Sequence, residues 1–344
     1  MIIIRPIRDT DLDVLCDIAR ESGPGFTSLP DKPELLQAKI TRTQETLQSE
    51  AALDGSQGYL FVMEDLTSGQ VVGTSGIEAA VGLNEPWYHY RIGTVVHASR
   101  ELNVYNNFRT LDLCNDYTGC AEVCTLYLKP GYRKGSNGNL LSKSRFMFMA
   151  EYPERFAGRV IAEMRGYSDD KGHSPFWDGL GRHFFSMEYS QADYLTGSGN
   201  KIFIAELMPK HTIYLHLLPK DAQRVIGQVH RNTEPARRLL ENEGFRFEGY
   251  IDIFDAGPTI ATRLNDIRSV RDSRYVKARI GETASRSDTL YLVSNTLLEN
   301  FRCTVAPLQP EGSATQISHE LADALLVSNG DPLRIVPIKA RQRE

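Results

Sequence analysis

Glu122-Val-Cys-Thr-Leu-Tyr-Leu-Lys-Pro-Gly-Tyr-Arg-Lys-Gly-Ser-Asn-Gly-Asn-Leu-Leu-Ser-Lys-Ser-Arg-Phe-Met-Phe-Met-Ala150 reads in three parts. Val123 to Leu128 is a short apolar, β-prone run, and Pro130 to Gly138 is a turn rich in glycine and basic residues. Asn139 to Ala150 then carries apolar residues at helical spacing. Strand, loop and helix in that order aim the first free N–H groups of the helix at one point, with the positive end of its dipole behind them. Arg133 and Lys134 stand beside that point, so the loop suits a phosphate.

Upstream, Ile2 to Pro6 predicts a strand, and Thr10 or Asp9 caps a helix with Leu12, Leu15, Ile18 and Ala19 on one face. Gly23 to Pro30 breaks that helix and supplies a loop. Asp31-Lys-Pro-Glu34 starts a second helix that buries Leu36, Ile40, Thr43 and Leu47. Tyr59 to Met63 and Val71 to Ile77 form a hairpin around Asp65 to Gly69. The opening order is therefore β-α-α-β-β.

Downstream, Lys201 to Met208 reads as a buried strand, Asp221 to Gln228 as a short helix, and Gly197 to Lys201 as a turn. His230 to Phe247 reads as a helix capped by Asn232 or Thr233, with Pro235 in its first turn and Gly244 at its end, running into a strand. Beyond Thr262, short strands such as Thr289 to Val293 and Leu333 to Ile338, with a helix at His319 to Leu326, predict a small mainly β subdomain.

At 344 residues, with 41% hydrophobic and 24% charged residues, the chain is long enough for two or more cores. The net charge of -5 gives no basic excess of the kind nucleic-acid binding needs. No apolar run approaches the roughly 18 residues of a membrane helix, and Met1 to Arg8 is too short an apolar start for a signal peptide, so a cytoplasmic protein is expected. Cys16, Cys114, Cys120, Cys124 and Cys303 lack any Cys-x-x-Cys spacing; structural thiols and no metal site are expected.

The loop resembles the pyrophosphate loop of the GNAT superfamily, acyl-CoA N-acyltransferases whose pattern is Arg/Gln-x-x-Gly-x-Gly/Ala after a strand. Arg133, Ser136 and Gly138 take the marked positions, with Ser136 where glycine is usual. The second GNAT signature, Asn-x-x-Ala followed by an aliphatic stripe and Gly-Phe, is matched by Leu239, Leu240, Gly244 and Phe245, with Ala236 displaced by one. The implied fold is α/β (α+β): a central mixed, mostly antiparallel sheet flanked by helices. Residues 1–265 would form the acyltransferase domain, with insertions near 83–122 and 152–201, and 266–344 the mainly β subdomain.

A closer resemblance is to the arginine N-succinyltransferase family. It is carried by Pro86-Trp-Tyr-His-Tyr-Arg91, Gly138 to Met149, Ala162-Glu-Met-Arg-Gly166, Ser174-Pro-Phe-Trp177, Ile226-Gly-Gln-Val-His230 and Tyr250 to Asp255, and by Thr27 to Pro30, Val96 to Ser99, Glu101 to Asn106 and Ala205 to Lys210. The resemblance implies transfer of succinyl from succinyl-CoA, a co-substrate and not a resident cofactor, to the α-amine of L-arginine. It implies that His230 is the proton donor, since Leu240 or its neighbour stands where many GNAT enzymes keep a tyrosine. It places succinyl-CoA on Leu126, Leu128, Arg133, Lys134, Gly135, Ser136, Asn137 and Gly138.

Two substrate carboxylates and a guanidinium call for charged partners. Arg91, Arg109, Lys143 and Arg145 are the basic candidates, and Glu78, Glu163, Asp252 and Asp255 the acidic ones, unranked. Partners are small molecules, with neither nucleic acid nor membrane, and a homo- or hetero-oligomer is open. Alternatives are an N-acyltransferase for ornithine or another amine, and a non-catalytic acyl-CoA-binding subunit.

Overall fold

Tyr59, Phe61 and Met63 alternate with Leu60 and Val62 along one strand, and all five are buried, in two different cores. Successive side chains of a strand point to opposite faces, so this sheet must be covered on both. The computed structural model describes residues 1–23, 28–169, 172–197, 202–281 and 289–339. The first half runs β1 (Ile2–Pro6), α1 (Leu12–Ser22), α2 (Pro33–Gln48), β2 (Gly58–Asp65), β3 (Gln70–Glu78), β4 (His89–Ser99), β5 (Val104–Cys114), β6 (Ala121–Leu128), α3 (Asn137–Glu151) and β7 (Arg159–Glu163). Next come α4 (Arg182–Phe185), α5 (Tyr189–Gly197), α6 (Ile202–Leu207), β8 (Ile213–Tyr214), α7 (Lys220–Val225), α8 (Glu234–Asn242), β9 (Arg246–Ile251) and β10 (Pro258–Arg263). The chain closes with α9 (Arg268–Arg271), β11 (Arg274–Ile280), β12 (Leu290–Ser294), β13 (Cys303–Pro307), β14 (Ala314–Ile317), α10 (His319–Leu325) and β15 (Pro332–Pro337).

Among the described residues the strands join one mixed sheet of order β14-β11-β15-β12-β13-β1-β2-β3-β6-β7-β10-β9-β4-β5-β8. Only the β6–β7 and β11–β14 pairs are parallel among the described residues. On one face α1 and α2 bury Leu15, Ile18, Leu36 and Ile40 against Leu60, Val62 and Val71. On the other lies α3, buried at every position from Leu140 to Met149. Phe148 meets Phe61 and Phe301 edge-on, each with ring centroids 5.1 Å apart, so the C-terminal strands share this core. No helix of the described residues is long and apolar enough to cross a membrane.

Three expectations are corrected. Lys201 to Met208 is not a strand: α6 covers Ile202–Leu207, with Ile204 and Met208 buried four residues apart and Leu207 exposed. A short apolar run cannot be assigned by periodicity alone, and here the period is 3.6. The strand that follows α3 is instead β7, which the sequence reading passed over. Neither Asp9 nor Thr10 caps α1; its N-cap is Asp11, whose carboxylate accepts from Arg5 at 2.7 and 3.0 Å and from the Arg8 amide at 2.8 Å. The first turn of α2 likewise starts after Lys32 without a side-chain cap, and Thr233, at the N-cap of α8, makes no cap bond. The loop expected over Gly23 to Pro30 is described only at its ends, and from residue 198 the turn expected over Gly197 to Lys201 lies outside the described residues.

Candidate active site

β6 pairs with β7 only at Ala121↔Val160 and Glu122↔Ile161, although both strands run on beyond that point. The two diverge and leave a split, with the backbone of Val123 to Leu128 along one wall. On its other edge β6 pairs with β3, and the register slips between Thr74 and Gly76, opposite a bulge at Thr125. Thr125 has φ 53°, a left-handed conformation that a β-branched residue adopts only under constraint. Arg145 supports the bulge from below: its Nη1 donates to the Cys124 carbonyl at 3.1 Å. Burial lowers the pKa of that guanidinium to about 10. Leu126 and Leu128 pack their side chains on the core, which leaves the main chain of β6 as the surface toward the split.

The loop after β6 ends in the first turn of α3. Arg133 donates from Nε to the Leu128 carbonyl at 2.8 Å and its guanidinium lies 5.8 Å from the Tyr127 ring; the Lys134 ammonium lies 5.9 Å from the Tyr132 ring. Neither cation has an ion-pair partner among the described residues. Asn137 ties the loop through its Nδ2 to the Tyr132 carbonyl at 3.0 Å. The positive φ falls at Gly135 (56°), whereas Ser136 sits at φ -96°. Serine is therefore unstrained where GNAT loops usually have glycine. A β-carbon on Gly138 would meet nothing nearer than Leu239 of α8, at 4.0 Å, so the two signature segments lie side by side.

His230 is tied to the segment just past β7. Its amide donates to the Arg165 carbonyl at 2.9 Å, and Val229 bridges to Gly166. His230 is buried, and its Nδ1 accepts from the Asn232 amide at 3.2 Å, which assigns the ring proton of neutral imidazole to Nε2. Leu240, in place of the usual tyrosine, is a core residue.

A cavity of about 470 Å³ opens beside the start of β6, lined by Glu78, Glu122, Cys124, Glu163, Asp252 and Asp255 among others. All four acidic candidates therefore converge on it. Glu163 accepts from the Trp87 indole at 3.0 Å and lies 2.8 Å from His89 Nε2. Burial raises the pKa of Asp252, helped by the charge of Glu163, and raises that of Asp255 well above the ordinary range, helped by Asp252. Asp255 accepts from the Gly166 amide at 2.7 Å and the Gly257 amide at 2.8 Å, fixing the segment from which His230 hangs.

The basic candidates lie elsewhere. Arg91 is exposed, 3.9 Å from Asp116, and Arg109 is exposed on β5. Lys143 and Arg145 are buried within α3 and hold it to its neighbours. The cations that do line the cavity are Lys39, Arg42 and Arg165, which sequence reasoning missed. Arg165 alone carried a signal, as part of Ala162 to Gly166. No group of three or more potential metal ligands occurs among the described residues.

A family profile described as arginine N-succinyltransferase beta subunit matches residues 2–269, and one for the C-terminal domain of the same subunit matches residues 274–337. The chain belongs to the arginine N-succinyltransferase family. Curated family members named arginine N-succinyltransferase from Escherichia coli (strain 55989) and Shigella flexneri are each 50% identical over 343 residues, covering 100% of this chain and 99% of theirs. Among solved structures, arginine/ornithine succinyltransferase subunit AI from Pseudomonas aeruginosa superposes with a TM-score of 0.91 at 40% identity, over 99% of both chains. The architecture shared with that solved structure is the one expected from the sequence, a mixed sheet flanked by helices with a mainly β C-terminal region.

Proposed function

We propose that the chain transfers the succinyl group of succinyl-CoA to the α-amine of L-arginine, giving N2-succinyl-L-arginine and free CoA. The observation that carries this reading is the meeting of three features at the β6–β7 split. The loop from Gly135 to Gly138 leads into α3 at one end, the main chain of His230 is bonded to Arg165 just past β7, and an acidic cavity opens beside the start of β6. The pyrophosphate would lie on Gly135 to Gly138 with Arg133 and Lys134, and the pantetheine arm would run back along the main chain of Leu128 and Leu126. The thioester then reaches the bulge at Thr125, where the cavity begins.

Neutral α-amine attacks the thioester carbonyl, the C–N bond forms, and the C–S bond breaks as the tetrahedral oxyanion collapses. The attacking nitrogen sheds its surplus proton as the amide forms, and His230 relays one through Nε2 to the departing thiolate, so that the two proton transfers cancel. The carboxylates of the cavity suit a substrate that brings an amine and a guanidinium. Such chemistry belongs to arginine catabolism in the cytoplasm. Ornithine is the second acceptor to test, because the P. aeruginosa relative is described as an arginine/ornithine enzyme and as a subunit. A partner chain or second copy is therefore part of the question.

A thiol-release assay pairing succinyl- and acetyl-CoA with arginine, ornithine, lysine and a no-amine blank tests the reading. Succinyl-CoA with arginine should turn over at least about tenfold faster than acetyl-CoA with arginine. Binding of succinyl-CoA with no turnover on any amine would instead mark an acyl-CoA-binding subunit.

A further inference from the structure

The cavity wall presents six carboxylates, Glu78, Glu85, Glu122, Glu163, Asp252 and Asp255, yet the proposed reaction must bring two more into it. One is the terminal carboxylate of succinyl and the other is the α-carboxylate of the amino acid. A ligand carboxylate enters such a space only beside a cation that the protein has not already neutralised.

Arg42 is committed: its Nη2 lies 2.6 Å from Glu78, and its Nε donates to the Ser56 carbonyl at 2.6 Å. Arg165 is different. Its Nη2 donates to the Ser168 hydroxyl at 3.2 Å, its Nε is buried with no acceptor, and no carboxylate pairs with it among the described residues. A guanidinium N–H kept from both water and acceptors is unfavourable until an oxygen arrives, and the planar fork of arginine matches a carboxylate with two parallel hydrogen bonds. Its place in the fold adds a second argument. The Arg165 carbonyl holds the His230 amide at 2.9 Å, so the side chain is rooted beside the proposed proton donor. In succinyl the terminal carboxylate is the third carbon from the reacting carbonyl, and in an amino acid the α-carboxylate is separated from the attacking nitrogen by one carbon. Both are thus bonded close to the reacting atoms, and Arg165 lines the cavity in which those atoms would meet.

We infer that Arg165 is a carboxylate-binding residue of this cavity, a role that rests on the proposed function. The test compares succinyl-CoA with butyryl-CoA, in which a methyl replaces the carboxylate, and arginine with agmatine, its decarboxylated form. The kcat/KM of each pair is measured for the wild type and for Arg165→Met. In the variant, one of the two wild-type preferences should collapse by about 100-fold, as expected for losing a charge-assisted bidentate contact. Collapse of the succinyl preference identifies the donor carboxylate, and collapse of the arginine preference the acceptor carboxylate. Arg165→Lys, which keeps the charge without the fork, should fall between and serves if the methionine variant does not fold. Both preferences intact in a folded variant would overturn the inference.

Calorimetric titration of the same four ligands reads the same preferences without turnover. A wild type that binds them but does not react would thus sink the proposed function while still deciding the role of Arg165.

Discussion

Lys143 Nζ lies 3.2 Å from the carboxylate of Glu243 inside the protein, joining the middle of α3 to the residue after α8. Glu243 also accepts from Arg268 Nε at 3.0 Å and from the Ser269 amide at 2.7 Å, while Lys143 and Arg268 donate to the main chain of Ile338 and Pro337. The helix behind the phosphate loop, the helix beside it and the C-terminal segment thus meet on one buried anion. Removing one partner of such a group leaves the others charged and unpaired. Glu243→Ala should lower unfolding stability by about 3–5 kcal/mol. Chemical denaturation checks this, and a loss below about 1 kcal/mol would mean that the network does not hold these elements together.

His230→Ala should lower turnover by about two to four orders of magnitude while leaving succinyl-CoA affinity nearly unchanged. Steady-state kinetics beside equilibrium binding separates the two quantities. Normal turnover would remove His230 as the acid.

The loop prediction turns on backbone geometry. Gly135 sits at φ 56°, where a side chain costs about 1–2 kcal/mol, so Gly135→Ala should raise KM for succinyl-CoA. Ser136→Gly should leave KM unchanged, because Ser136 is already at φ -96°. Arg133→Ala removes the tie to Leu128 together with the proposed phosphate contact, and should raise the same KM about tenfold. Equal behaviour of all three variants would move the pyrophosphate away from this loop.

Asp252 gives a pH signature. Burial raises its folded-state pKa above the ordinary 3.8, so the folded protein binds the proton more tightly than the unfolded chain. Its contribution to stability is present below that ordinary value and is lost as pH rises through the raised folded pKa. Asp252→Asn keeps an Oδ1 for the Phe254 and Asp255 amides, which it accepts at 2.7 and 2.9 Å, and removes the charge. Relative to wild type the variant should therefore gain stability as pH climbs from about 4 toward neutrality. Melting temperatures across that range check the sign, and a difference independent of pH would mean that Asp252 titrates normally.

Local chemistry made much of the fold legible in advance. The glycine- and arginine-rich turn between an apolar run and a helical stripe, the Pro235 and Gly244 that bracket α8, and the alternation in β2 each act within a few residues. Where the period was ambiguous, reading along the chain failed. Ile202–Leu207 has the composition of a strand and forms a helix because the second core takes Ile204 and Met208 together. The short strand Arg159–Glu163 was overlooked although it forms the far wall of the split.

Candidate residues divided the same way. The sequence by itself determined the helices α3 and α8, because the turn before one and the Pro235 and Gly244 around the other act at short spacing, whereas His230 was singled out by family resemblance. Only the tertiary structure decided which charges face the cavity. Lys143 and Arg145 look like binding cations in sequence and are buried braces of α3, while Lys39, Arg42 and Arg165 come to one space from α2 and from the segment after β7. Burial and pairing depend on packing between distant segments, so a charge reveals its role only once its neighbours are in place.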